Sequence, residues 1–205
     1  MADRLSIYKG ALRLLGPSEL ASLTEDRPER HKLDDAWSSS VEYLLSKGMW
    51  NFSIRTVEIG YAEDVEPLFG YQHAFNKPED WKRTVSIAAT ANFLEGIERY
   101  ADETSYWHTD FETIYVRYVS SDDAYGWNVG AWGEPFSKAL EAYLAFECGL
   151  PISSDRGNRN DLYSLYKERL KDAKALDAVD EEVDTSPPGR WTRSRNSYQG
   201  RDRRG

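Results

Sequence analysis

KGMWNFSIRTVEIGYAEDVEPLFGYQHAFNKPEDWKR, residues 47–83, is where the character of the chain changes. Before it, apolar residues recur at helical spacing; after it, the chain reads as strands and turns until helical spacing returns near Glu134. Gly48 closes a helix. Trp50 and Phe52 then alternate with polar neighbours into Ile54, Val57 and Ile59, the period of a half-buried strand. After the solvated loop Glu63-Asp64-Val65-Glu66-Pro67, the run Gly70-Tyr71-Gln72-His73-Ala74-Phe75 leads into Pro78-Glu79-Asp80-Trp81, an aromatic strand closed by a proline turn.

Upstream, Leu5, Tyr8, Leu12 and Leu15 lie three and four residues apart, which predicts a helix over 3–15 that stops at Gly16-Pro17. Leu33, Trp37, Val41 and Leu44 repeat that spacing over 28–47, with Pro28 suited to a first turn and Gly48 to the cap. The two are expected to pack as a helical hairpin. Downstream, the β region spans about 51–120, with strands expected at 52–60, 71–75, 83–90 and 112–119 and short ones near 93–99 and 104–108. Ile114-Tyr115-Val116-Arg117-Tyr118-Val119 alternates most cleanly. The stretch YGWNVGAWGE (125–134) is too glycine-rich for regular structure, yet its two Trp need burial.

Helices are expected again over 135–148, stopped by Gly149-Leu150-Pro151, and over 160–178 with Leu162, Leu165, Tyr166, Leu170, Ala173 and Leu176 on one side. The fold class is therefore α+β: a bundle of about four helices with an inserted antiparallel β region and an extended C-terminal tail. Residues 1–186 form one domain and 187–205 the tail.

The 205 residues suffice for one domain with a full core. Seven Trp and thirteen Tyr are a surplus of side chains that dominate cores and interfaces alike. Net charge is −9, which argues against a general nucleic-acid binder, but residues 187–205 hold six Arg against one Asp, leaving −14 on the rest. A lone cysteine, Cys148, rules out an internal disulfide and reads as a small buried hydrophobe. The N-terminus lacks a charged start followed by an apolar run, and no apolar stretch approaches the ~20 residues of a membrane span, so cytosolic synthesis and no membrane partner are expected.

Catalytic signals are missing from the sequence. His31, His73 and His108 lie on separate predicted elements without a second ligand at metal spacing. Carboxylates are abundant, but the pair Glu79-Asp80 beside Pro78 reads as turn support, and no phosphate loop, nucleophile elbow or zinc helix occurs. No cofactor, metal or catalytic residue is expected. Asn51-Phe52-Ser53 matches a glycosylation sequon that has no secretion signal to go with it. The Arg-rich tail has three readings: a solubilising end, a DNA-contacting arm, or a segment that orders on a protein partner. Its interleaved Trp191 and Tyr198 favour the last, since protein interfaces are enriched in Trp, Tyr and Arg. By composition alone it is expected to be disordered in the free protein.

ALRLLG (11–16) followed by Ser22-Leu23-Thr24-Glu25-Asp26, GMWNF (48–52), GYQHAFNKPEDWKR (70–83) and EPFSKALEAYLAFECGLPIS (134–153) stand in an order and spacing that resemble the head-to-tail adaptor proteins of tailed bacteriophages, including the tail tubular protein A type. The similarity covers roughly residues 5–180, and its motif positions include Trp50, Phe52, Tyr71, Phe75, Pro78, Asp80 and Arg83. Asn76-Lys77 and Trp81 depart from the family pattern. The resemblance implies a non-enzymatic virion protein, made in the host cytoplasm. It would assemble as a dodecameric ring between the portal protein and the tail tube or nozzle, its lumen passing genomic DNA without reading it. The tail would dock on the portal through Trp191, Arg193, Arg195, Tyr198, Arg201, Arg203 and Arg204. A negative wall suits a DNA channel, because like charge keeps the polymer from sticking. The alternative reading is a phage tail-associated cell-wall or polysaccharide hydrolase, motivated by Trp content and carboxylates; a third is a small DNA-binding factor acting through the arm.

Overall fold

The computed structural model describes residues 2–16, 20–94, 96–153 and 158–179. Within them the chain is α+β, with four helices and two small antiparallel sheets. Helix α1 (Arg4–Leu15) starts on a capping box: the Ser6 amide donates to the Asp3 carboxylate at 2.8 Å, and the Asp3 amide donates to the Ser6 hydroxyl at 3.2 Å. It ends at Gly16, whose φ of +87° brings its amide to the Leu12 carbonyl at 3.0 Å. Helix α2 (Pro28–Lys47) begins on its proline, as expected, and buries Leu33, Trp37, Val41 and Leu44.

Gly48 follows α2 for a different reason from the one its sequence position suggests. Its backbone is extended rather than left-handed, and the Trp50 indole lies against it. A Cβ there would meet Trp50 Cε2 at 2.7 Å, so the position needs a residue without a side chain. Trp50 and Phe52 are not strand residues either. Trp50 precedes and Phe52 sits within a short 3-10 turn, Asn51–Ser53, because the chain must bend both rings back onto the helices before strand β1 (Ile54–Gly60) begins.

Helix α3 (Glu134–Ser153) is the centre of the bundle. It is the close neighbour of α1, of α2 and of α4 (Asn158–Val179), so the expected α1–α2 hairpin is in fact a bundle built around a third helix. Helices α1 and α2 still touch, with Tyr8 edge-on to Trp37 at 5.5 Å and Arg4 bonded to Asp34 at 2.6 Å. Burial of Phe136, Ala139, Leu140, Ala142, Leu144 and Ala145 leaves α3 little polar face, as a surrounded helix requires. It also runs through Gly149-Leu150-Pro151 instead of stopping there. Gly149 is packed where a Cβ would touch Leu162 and Leu15, so tertiary contacts from two helices outweigh the local stop signal. Leu176, expected on the buried face of α4, is 55% exposed.

Sheet one has the order β1–β6–β3, with β3 Trp81–Ala88 and β6 Thr113–Ser120; sheet two has the order β2–β5–β4, with β2 His73–Asn76, β4 Ala101–Asp102 and β5 Tyr106–Thr109. Strand β1 pairs with β6 from Ile54 against Val119 to Gly60 against Thr113. Among the described residues of 93–99 there is no strand; they touch the sheet at an isolated bridge, Ala88 to Gly96. Phe75, Ile87, Trp107, Ile114, Val116 and Tyr118 fuse the two sheets into one core, while Val119, one residue on, belongs to the helical core. The alternation of β6 thus serves two cores at once. In the 125–134 stretch, Trp132 is buried and donates to the Gly126 carbonyl at 2.9 Å, whereas Trp127 is half-buried.

Candidate functional site

The motif residues divide between three places. Trp50 and Phe52 join the helical core at the root of the β region, where Phe136 meets both rings edge-on at 4.9 Å. The Trp50 indole N–H donates to the Leu44 carbonyl at 2.8 Å. The sequon residue Asn51 is engaged there too: its side-chain amide donates to the Asp177 carbonyl at 2.8 Å, which fixes the end of α4 beside this root.

Asp80 forms the second place. Pro78 accepts the Trp81 amide at 3.0 Å, and the turn so made aims the Asp80 carboxylate at β6 and β1. It accepts from Tyr118 Oη at 3.0 Å, Ser120 Oγ at 2.5 Å and Arg55 Nη1 at 3.1 Å. Burial alone would raise its pKa, but the Ser120, Tyr118 and Arg55 hydrogen bonds together outweigh that and hold the carboxyl below its usual range. The same contact, with burial first, pushes the Tyr118 phenol up. Arg83, three residues on, is exposed and takes no part. Glu79 is exposed as well, so the expected turn-supporting pair is in effect a single carboxylate.

The third place is the end of the β region away from the bundle. Strand β1 leaves the bundle at Ile54 and ends at Gly60, so the following residues stand about 20 Å from the root, at ~3.3 Å per residue. There His108, buried on β5, accepts the Leu68 amide at 3.1 Å and turns its Nε2 toward Glu103 at 3.3 Å. Arg99 donates to the Gly70 carbonyl at 2.8 Å, and Gly70 takes the left-handed φ of +93° that the tight turn from Leu68 to Tyr71 demands. Held from both sides, this turn presents Phe69 with 100% of its surface exposed. Tyr71 packs under the Arg99 guanidinium, and Tyr61, Leu68, Tyr100 and Phe111 are exposed around it. Sequence reasoning singled out Tyr71 here, and Phe75, which is instead buried in the core between the sheets, but missed Phe69; its place between Leu68 and Gly70, after a proline, was the available signal.

On the bundle, Tyr43 stacks on Tyr143 at 4.7 Å, while Tyr143 meets Tyr166 at 4.9 Å and Phe146 meets Tyr163 at 5.1 Å with their ring planes tilted. This ladder crosses α2, α3 and α4, and Lys47, Arg159 and Lys167 sit over its outer rings. Burial first, and then the Glu147 charge, pushes the Tyr143 phenol up. Between α1 and α3 lies an open cleft of about 420 Å³, walled by Ile7, Arg13 and Trp132. On its wall Glu141 is nearly buried, bonded to Lys138 at 3.1 Å and facing Arg169 at 3.8 Å. Its carboxylate occupies the space a side chain at Gly10 would need.

Among the described residues, no group of three or more His, Cys, Asp or Glu side chains is placed to hold a metal, and no helix is long and apolar enough to cross a membrane. His31 pairs with Asp26 at 2.8 Å, His73 lies 4.5 Å from the Tyr61 ring, and Cys148 is buried with its thiol pushed up to about 11 by burial. Trp191, Arg193, Arg195, Tyr198, Arg201, Arg203 and Arg204 lie outside the described residues. No family model matches the chain, and no curated protein matches it.

Proposed function

We propose that this protein is a structural head-to-tail adaptor of a tailed bacteriophage, forming a ring between portal and tail tube or nozzle that continues the DNA channel. The observation that supports this reading best is the distribution of exposed apolar surface. One group, Tyr43, Tyr163, Leu176 and Val179, lies on α2 and α4; a second, around Phe69, lies about 20 Å out along the β region. A closed ring needs heterologous contacts between two different faces, and a part joining two structures needs two ends. The −14 charge of residues 1–186 suits a lumen that must not hold DNA. The role is mechanical, with no catalysis.

Light scattering on the full chain and on a chain ending at Ser186, each with and without a portal ring, tests this. The full chain should join the portal as a high-order ring and the shortened chain should not. Trp191→Ala with Tyr198→Ala should weaken portal binding and leave the melting temperature nearly unchanged. Two monomeric species that ignore the portal would refute the adaptor reading.

A further inference from the structure

The end of the β region is both apolar and acidic. Phe69 and Leu68 are held outward by the His108 and Arg99 contacts, so presenting them costs no ordering when something binds. The same loop carries the exposed carboxylates of Glu63, Asp64 and Glu66, and Glu112, also exposed, accepts the Tyr61 amide through its carbonyl at 3.2 Å, while Arg99, a cation at this end, is already committed to Gly70 and to Asp110 at 3.4 Å. A ligand for such a surface carries several positive charges and flat aromatic groups, with guanidinium favoured because it can pair with carboxylates and stack on Phe faces.

The chain itself contains such a ligand, RWTRSRNSYQGRDRRG (190–205). Its point of departure is known: Asp177 is pinned to Asn51 at the root of the β region. From Val179 to Trp191 there are about 12 residues, enough to span up to ~40 Å, against the ~20 Å between root and end surface. A tether of that length also gives a high effective concentration, so a weak site can be occupied within one copy.

We propose that the acidic aromatic end of the β region, centred on Phe69, is a docking site for the chain's own basic C-terminal segment, residues 190–205, in the free protein. The site covers an apolar surface that would otherwise be open to association. A portal that captures the segment uncovers that surface, so joining the ring and presenting its outer end become one event. The docking itself does not depend on the adaptor reading, because it involves only this chain.

Photo-crosslinking of the full chain tests it without any portal. With benzoylphenylalanine in place of Trp191, irradiation of dilute protein should give monomer-sized adducts mapping to residues 61–72 and 110–112. Phe69→Ala, which cannot disturb the fold because the ring touches solvent only, should lower their yield at least tenfold. Salt at about 1 M, where the screening length falls to ~3 Å, should do the same. Adducts scattered over the acidic body, adducts insensitive to Phe69→Ala, adducts only between copies, or none would each overturn the proposal. Failure here leaves portal binding untouched, and failure of portal binding leaves these adducts unaffected.

Discussion

Truncation of Trp50 to alanine probes the joint between the two halves of the fold. The indole is 1% exposed, lies against Gly48, meets Phe136 at 4.9 Å and donates to the Leu44 carbonyl. Burying a tryptophan removes roughly 150–250 Å² from water, and at ~25 cal/mol per Å² that is about 4–6 kcal/mol. The measured range for truncating a buried aromatic is ~3–5 kcal/mol, and the extended backbone at Gly48 cannot collapse into the gap without shifting the end of α2. We therefore expect a loss of about 3–5 kcal/mol. In a chain of this size that lowers the melting temperature by roughly 6–20 °C. Urea unfolding followed by far-ultraviolet circular dichroism measures it, with the midpoint falling and the slope unchanged. Trp50→Phe separates packing from polarity: it keeps most of the ring and forfeits the N–H, so it should cost about 1–3 kcal/mol. A loss under ~1 kcal/mol for the alanine variant would refute the reasoning.

Gly126→Ala should be as harmful as a core truncation, because a Cβ there would lie 2.1 Å from the Ser120 carbonyl, a backbone atom fixed by β6; we expect at least ~2 kcal/mol lost by the same unfolding assay. The depressed pKa of Asp80 gives stability that is full above the unfolded value of 3.8 and lost as pH falls through the lower folded value. Asp80→Asn should therefore cost about 1–3 kcal/mol near neutrality and flatten stability against pH below about 5; an unchanged acid slope would show that the Arg55, Tyr118 and Ser120 contacts do not hold the ionised form. Cys148, buried and with its thiol near 11, should react with an aromatic disulfide reagent at pH 8 at least ~100-fold more slowly than free cysteine until the protein unfolds; rapid labelling would mean α3 opens locally.

Where neighbours in sequence decide the structure, the sequence was a sufficient guide. Pro28 opens α2 as expected, and the alternation of 114–119 marks β6. The misreadings occur where a distant partner decides. Phe52 follows polar Asn51 as a strand residue would, but Phe136, far along the chain, draws its ring inward. The stop signal at Gly149-Leu150-Pro151 is local, whereas Leu162 and Leu15 act from two other helices. A lysine before a proline carries no local sign of burial, yet in the fold the Lys77 side chain is 3% exposed, its ammonium bonded to Asp102 and lying 3.5 Å from the centre of the Trp81 ring. Nothing within ten residues announces Asp102. Of the candidate site, the aromatic motif was legible as a group. Its division between helical core, Asp80 joint and outer end was not, since that depends on which sheet each strand enters.

The pairing of Ile54 with Val119 has a consequence for how this chain can vary. Neighbouring strands lie about 5 Å apart, so the backbone leaves the bundle and returns to it almost at the same point. Apart from the start of β3, where Lys82 pairs with Glu42 and Val85 packs on the helical core, what lies between those two residues is to the helices equivalent to one tight turn. Its outer part, beyond those contacts, can be lengthened, shortened or retwisted without changing the phase of α2 against α3. Selection or an engineer could therefore refit the outer end for a new mating surface while the bundle keeps its own.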